Sequence, residues 1–361
     1  MFVAWRDLKF AKGRFALMGT VIVLITLLVG LLSGLTAGLG RQNTSAITSL
    51  PADAIAFGSP GGEEPSYANS TVDERQWQRW ARTPGVEAAE PLGITTTRAS
   101  AGSRSAGVSA FGVRPGSALA PESGRIDGRA AVLSTAAAAD LGVAEGDGFT
   151  LAGQEVTVAA VSGDAFFSHT PVVWTSLDLW RKAVPPTGKG GAPTATVIAL
   201  DTASGVDVGA ADRAAGTRTV SRDDSLSAIG SYTSENGSLQ LMRGFLFAIS
   251  ALVIGAFFTV WTIQRSGDVA VLKALGASTA TLLKDALGQA VVLLVGGTLI
   301  GTGAAAGLGA LVAGSDVPFL LTPATVLLPA AVMIALGVLG AALSIRRITS
   351  VDPLTALGSA R

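Results

Sequence analysis

Tyr232 and Glu235 stand three residues apart in "SYTSENGSLQLMRGFLFAI", a stretch that joins a polar run to a long apolar one. If helix has begun by Tyr232, this spacing puts phenol and carboxylate on one face. Two chemistries fit. A carboxylate in a first turn complements the positive end of the helix dipole, while a tyrosine at the margin of an apolar segment anchors at an interface. Alternatively, the two groups line a pocket beside apolar walls, since an acid at the mouth of a membrane helix is paired, solvated or functional. His169, the only histidine, is a further candidate ligand, with Phe166 and Phe167 just before it. Arg41 and Arg243 lie at the same level and would supply cations, and Met242 is a softer alternative to the imidazole.

Enzymatic chemistry finds nothing comparable. One histidine gives no pair for zinc, and an acyl-transfer triad would have a single candidate base. The chain has no cysteine, hence no disulfide framework, thiolate metal site or cysteine nucleophile. No GxxxxGK[ST] loop is present, so ATP is not bound here in that way. The expectation is a non-catalytic chain with no intrinsic cofactor.

The elements that must position these residues are dominated by apolar runs. Of 361 residues, 14% are charged and 49% apolar, with 45 glycines and zero formal net charge. Globular chains carry about 25% charged residues, and the balanced charge gives no reason to expect nucleic acid. Four apolar runs reach the ~20 residues needed to cross a bilayer core. The expected fold class is a membrane protein of four transmembrane α-helices, with one large α+β extracytoplasmic domain between helices 1 and 2. Residues 1–14 read as a cytoplasmic amphipathic helix on the membrane surface or as a plain extension of the first span. The spans are placed at 15–39, 236–264, 285–313 and 324–345, and the outer domain at 40–235. A cytoplasmic loop at 265–284, an outer loop at 314–323 and a tail at 346–361 complete the chain. Arg6, Lys9, Lys12 and Arg14, then Arg265, Lys273 and Lys284, then Arg346, Arg347 and Arg361, place both termini inside.

Within the outer domain, "DAIAFG", "GITTTRA", "GVSAFGV" and "TATVIAL" read as strands. "AAVLSTAAAADLGV" reads as a strand running into a helix, and "EGDGFTLAGQEVTVAAVSG" as a hairpin. A helix over "DERQWQRWAR" would be capped by Ser70 or Thr71, with Trp77 and Trp80 on one face against a sheet or as a substrate wall. Strands and helices without strict alternation indicate α+β. In "GGTLIGTGAAAGLGAL" the G-x-x-x-G spacings inside an apolar helix predict close helix packing, not a nucleotide loop.

The loop after the second span, "RSGDVAVLKALGAS", places Val269, Leu272 and Leu275 on one helical face and ends at Gly276, a helix stop. It resembles the R-x-x-E-[IV]-x-[VL]-L-[RK]-A-[LI]-G-A-[ST] signature of the FtsX-like, or MacB-like, ABC-transporter permeases, with Asp268 where Glu is commoner. "FVAWRDLKFAKGRFAL", "AVLSTAAAADLGVAEGDGFTLAGQEVTVAAV" and "RRITSVDPLTAL" are similar to the family's N-terminal helix, outer-domain pattern and Asp-Pro-containing tail. The resemblance covers nearly the whole chain. It implies that Asp268, Leu272, Lys273, Leu275 and Gly276 form a coupling helix docking on a cytoplasmic ABC ATPase. Two ATPase copies carrying ATP and Mg would serve a homodimer of this permease in a bacterial plasma membrane.

"GSYTSENGSLQLMRGFLF" is similar to the subgroup with haem-exporting and DevC-type permeases. That likeness implies haem as the transported ligand. The expected site is Tyr232, Glu235, His169, Arg243 and Arg41, with the iron taken by Tyr232, Glu235 or His169 and the propionates by the arginines. Other family members move lipoproteins, peptides or glycolipids, or transmit force and signals with no substrate, and that alternative stays open.

Overall fold

The computed structural model describes residues 12–59, 63–184, 194–264, 267, 271, 275–276, 278–312 and 317–349. The chain divides into two compact units, Leu39–Asn236 and a second made of Met1–Gly38 with Gly237–Arg361.

The second unit is helical. Its elements are α1 (Lys12–Thr48, up to Gly38), α6 (Tyr232–Gln264, from Gly237), α7 (Thr279–Val312) and α8 (Pro323–Thr349). All four are long and apolar enough to cross a membrane. A helix is the natural solution there, because every backbone group must find its partner within the segment. Phe15, Met18, Ile22, Phe258, Trp261 and Leu294 form its buried centre, with Trp261 edge-on to Phe15 and Phe258 at 6.4 and 6.0 Å between ring centroids. The expected glycine packing holds for Gly297 and Gly301, which face α1 at contact distance, but Gly303 and Gly307 face no neighbour.

The first unit is built on a ten-stranded mixed sheet. Its strands are β1 (Ala54–Gly58), β2 (Val86–Ala101), β3 (Arg104–Val113), β4 (Ala130–Leu133), β5 (Gly148–Leu151), β6 (Gln154–Val161), β7 (Phe166–Phe167), β8 (Thr170–Ser176), β9 (Val197–Thr202) and β10 (Thr217–Ser221). The order is β10-β1-β9-β2-β3-β8-β4-β6-β5, with β7 paired to β8. β5 also returns to β2 through Ala99–Leu151 and Ser100–Thr150. Six strands therefore close into a ring, and the long β2 joins that ring to the extension β9-β1-β10. The uneven spacing of Val156, Val158 and Val161 has a simple cause. Burial in β6 keeps strict period two through Val156, Val158 and Ala160, so Val161 falls on the outward face, while an irregularity between Ala131 and Val132 shifts the β4–β6 pairing by one residue.

Four short helices, α2 (Glu74–Ala81), α3 (Thr135–Leu141), α4 (Leu177–Ala183) and α5 (Val208–Ala215), contribute to one of the two cores. There Trp180 lies over Gly93 and Gly112, where any side chain would overlap its indole. Trp80 is fully buried and donates to Thr217 Oγ1, while half-buried Trp77 donates to the Ala89 carbonyl. Both indoles are thus structural. The cap of α2 is Asp73 in a capping box with Gln76, not Ser70 or Thr71. Ser70 is instead buried, donating to the Thr196 carbonyl and accepting from Gly58 N–H. The other core holds Ile47 and Leu50 from the end of α1 with Phe57, Tyr67, Phe111, Phe167 and Trp174.

A topology test follows from the absence of native cysteine. Ser103, Ser221 and Ser278 are all exposed, so cysteines there differ only in compartment. Ser103→Cys and Ser221→Cys are expected to react with an impermeant maleimide on whole cells, and Ser278→Cys only after lysis. Protection of position 103 in intact cells would contradict the four-span arrangement.

Candidate functional site

The site is assembled at a two-residue hairpin turn. Ser168 and His169 connect β7 to β8 with φ of 49° and 65°. Two consecutive left-handed residues match the twist of a tight hairpin, a role Asn-Gly fills without strain. Ser and His in that region cost roughly 1–3 kcal/mol each unless their surroundings hold them. The last turns of α1 do so. Ser168 N–H donates to the Asn43 carbonyl and His169 N–H to the Gln42 carbonyl, both at 3.0 Å. Phe166 N–H donates to Ser45 Oγ at 2.8 Å. The hairpin tip is therefore fixed by backbone bonds to carbonyls in the last two turns of α1.

From this turn the imidazole reaches the first turn of α6. His169 Nε2 lies 2.7 Å from Glu235 Oε2, and Asn43 Nδ2 donates to the same oxygen at 3.0 Å. Three remote segments thus meet on one carboxylate oxygen. The imidazole and carboxylate remain one-third and two-fifths exposed. Asn43 is almost fully buried, and its Oδ1 has no protein partner among the described residues.

The remaining expected residues do not all join them. Tyr232 packs partly buried against the aromatic core, so its phenol and Glu235 serve different neighbours despite their spacing. Phe167 is buried edge-on to Tyr67 and Phe111 at 5.4 and 5.5 Å, which removes it as a stacking surface for a ligand. Phe166 stays half-exposed. Arg41 forms an ion pair with Asp164. Arg243 belongs to the helical unit, where its guanidinium lies 5.9 Å from the Phe247 ring, and Met242 is exposed in the same unit. Asp268, Leu272 and Lys273 of the coupling segment lie outside the described residues. Leu275 is 79% exposed in a turn, and Gly276 has φ of 95°, as a helix-ending glycine requires.

Sequence reasoning missed Asn43, Gln42, Ser45 and Asp164. The only local signal was the polar run "RQNTS" following an apolar helix, which resembles an ordinary exit into water.

Four long apolar helices with a mixed α+β domain inserted after the first define a multi-pass membrane protein with an extracytoplasmic domain. Residues 15–218 match the MacB-like periplasmic core domain, and residues 241–353 match the FtsX-like permease C-terminal domain. The chain belongs to the FtsX-like, MacB-like family of ABC-transporter permeases, which implies a cytoplasmic ATPase partner. It is 26% identical over 365 residues to a Staphylococcus haemolyticus protein named as hemin transport system permease HrtB, covering 99% of each chain. It is also 26% identical to an uncharacterized ABC transporter permease of Mycobacterium tuberculosis, again over 99% of both. Among solved structures, the periplasmic region of MacB from Actinobacillus actinomycetemcomitans matches 49% of this chain and 92% of its own, at 10% identity and TM-score 0.36.

Proposed function

We propose that this permease exports haem from the membrane, driven by ATP hydrolysis on a separate ATPase subunit, and that the permease itself is non-catalytic. It would act as a homodimer in a bacterial plasma membrane with both termini cytoplasmic. The observation that carries this reading is the half-exposed His169–Glu235 pair at the start of α6. Alignment over the full chain with a relative named as a hemin permease supports it. Haem iron accepts imidazole or tyrosinate. His169 is the donor taken here, because its imidazole is one-third exposed beside Glu235, whereas Tyr232 packs partly buried against a core cluster. Binding would exchange the hydrogen bond at His169 Nε2 for the iron, while Asn43 continues to hold Glu235. Arg41 would meet a propionate only by leaving Asp164. Co-expression with its ATPase is expected to protect a haem-sensitive bacterium, and His169→Ala at equal permease level to abolish protection. Full protection by that variant would remove His169 from the pathway.

A second reading, force or signal transmission without a substrate, is favoured by one observation. The hairpin tip is bonded through its backbone to the last turns of α1 and through His169 to the first turn of α6, so one turn of the outer domain holds both of its chain connections. On that reading His169→Ala would loosen the hairpin and leave haem tolerance unchanged.

A further inference from the structure

The first and third membrane helices meet along a seam in which a glycine stands on at least one side at each turn. Ile22 faces Gly297, where an added methyl would come within 2.7 Å of its Cγ2. One turn further, Val23 and Thr26 face Gly301, where a methyl would lie 2.6 and 2.8 Å from the Val23 carbonyl oxygen and Thr26 Cβ. Gly30 then faces Ala305, its added methyl 2.8 Å from the alanine Cβ. At the next level Gly34 of α1 and Gly309 of α7 both abut the ring of Phe319, from the segment that leads into α8. A side chain at either glycine would overlap that ring, and one at Gly38 would overlap the Pro318 carbonyl. Leu320 N–H donates to the Gly34 carbonyl at 3.0 Å. Each step advances one helical turn on both helices, so they run parallel and in register.

Small residues let helix backbones approach closely in a membrane, where dispersion and not water drives packing. A seam repeating every turn has a weakness, since a one-turn slip would restore much of it, and such ratchets are a known mode of conformational change. Phe319 and the Leu320 bond occur once and so single out one register.

We propose that α1 and α7 move as one rigid body in the transport cycle, pinned in a single register by Phe319. The test needs no haem, so it stands apart from the substrate reading. Gly30→Cys with Ala305→Cys places two thiols where a disulfide, with Cβ atoms about 3.8 Å apart, needs about 1 Å of adjustment. In the complex with its ATPase, the oxidised double variant is expected to cross-link fully and to hydrolyse ATP within about twofold of its reduced form. Failure to cross-link, or a tenfold loss reversed by dithiothreitol, would overturn the proposal. Should that variant fail to assemble, hydrogen exchange on the wild-type complex gives an independent reading at the Leu320 amide, which donates to the Gly34 carbonyl. That amide is expected to exchange at least tenfold more slowly than the amide of exposed Leu321, with and without ATP. Equal rates during hydrolysis would show that the pin lifts.

Discussion

Leu272→Asp and Gly276→Pro are expected to separate the permease from its ATPase, giving membrane-inserted protein that neither retains the partner nor supports its ATP turnover. The resemblance to the family signature puts both residues in the segment expected to dock on the ATPase. Val271 and Leu275 of the same segment are 55% and 79% exposed, an apolar surface with no cover among the described residues. Burying an unpaired polar group in such a contact costs about 1–3 kcal/mol, which is roughly five- to 150-fold in affinity. Gly276 holds φ of 95°, and proline is confined near −65°, so its variant alters the exit of the helix itself. Co-purification of the full complex with unchanged turnover in both variants would contradict the docking role.

The second large effect is expected at the hairpin tip. His169→Ala removes the only imidazole of the chain and one of two side chains bonded to Glu235 Oε2. A tenfold or greater loss of haem affinity is expected, about 1.4 kcal/mol or more. Glu235→Ala should lower affinity less, because the imidazole remains although its orientation is freed. Tyr232→Phe should leave binding unchanged and cost stability only slightly, since its ring packs in the core either way. Their order separates an imidazole ligand from a phenolate. A Soret shift lost in Tyr232→Phe but kept in His169→Ala would reverse the assignment.

Much of the architecture was legible because it rests on local pattern. Hydropathy alone placed four spans, and period-two runs with Gly turns placed β1, β3, β5 and β6. The ring closure of β5 on β2 was not legible, as two residue pairs between remote strands leave no local mark. The turn at Ser168 and His169 lacks Gly or Asn because its strain is held by the Gln42 and Asn43 carbonyls, not by its own residues. For the same reason Glu235 and His169 could be named from sequence as separate candidates, whereas their meeting through Asn43 could not. The spacing of Tyr232 and Glu235 suggested a pair, and tertiary packing divided them.

The most direct measurement is a difference absorption titration of the intact wild-type permease, in nanodiscs, with haem. The expected result is a saturable Soret shift that reports ligation by the protein and is diminished in His169→Ala. Absence of a saturable shift in the wild type, or identical spectra for wild type, His169→Ala, Glu235→Ala and Tyr232→Phe, would contradict haem recognition at this site and leave Glu235 as a helix cap that fastens the hairpin to α6.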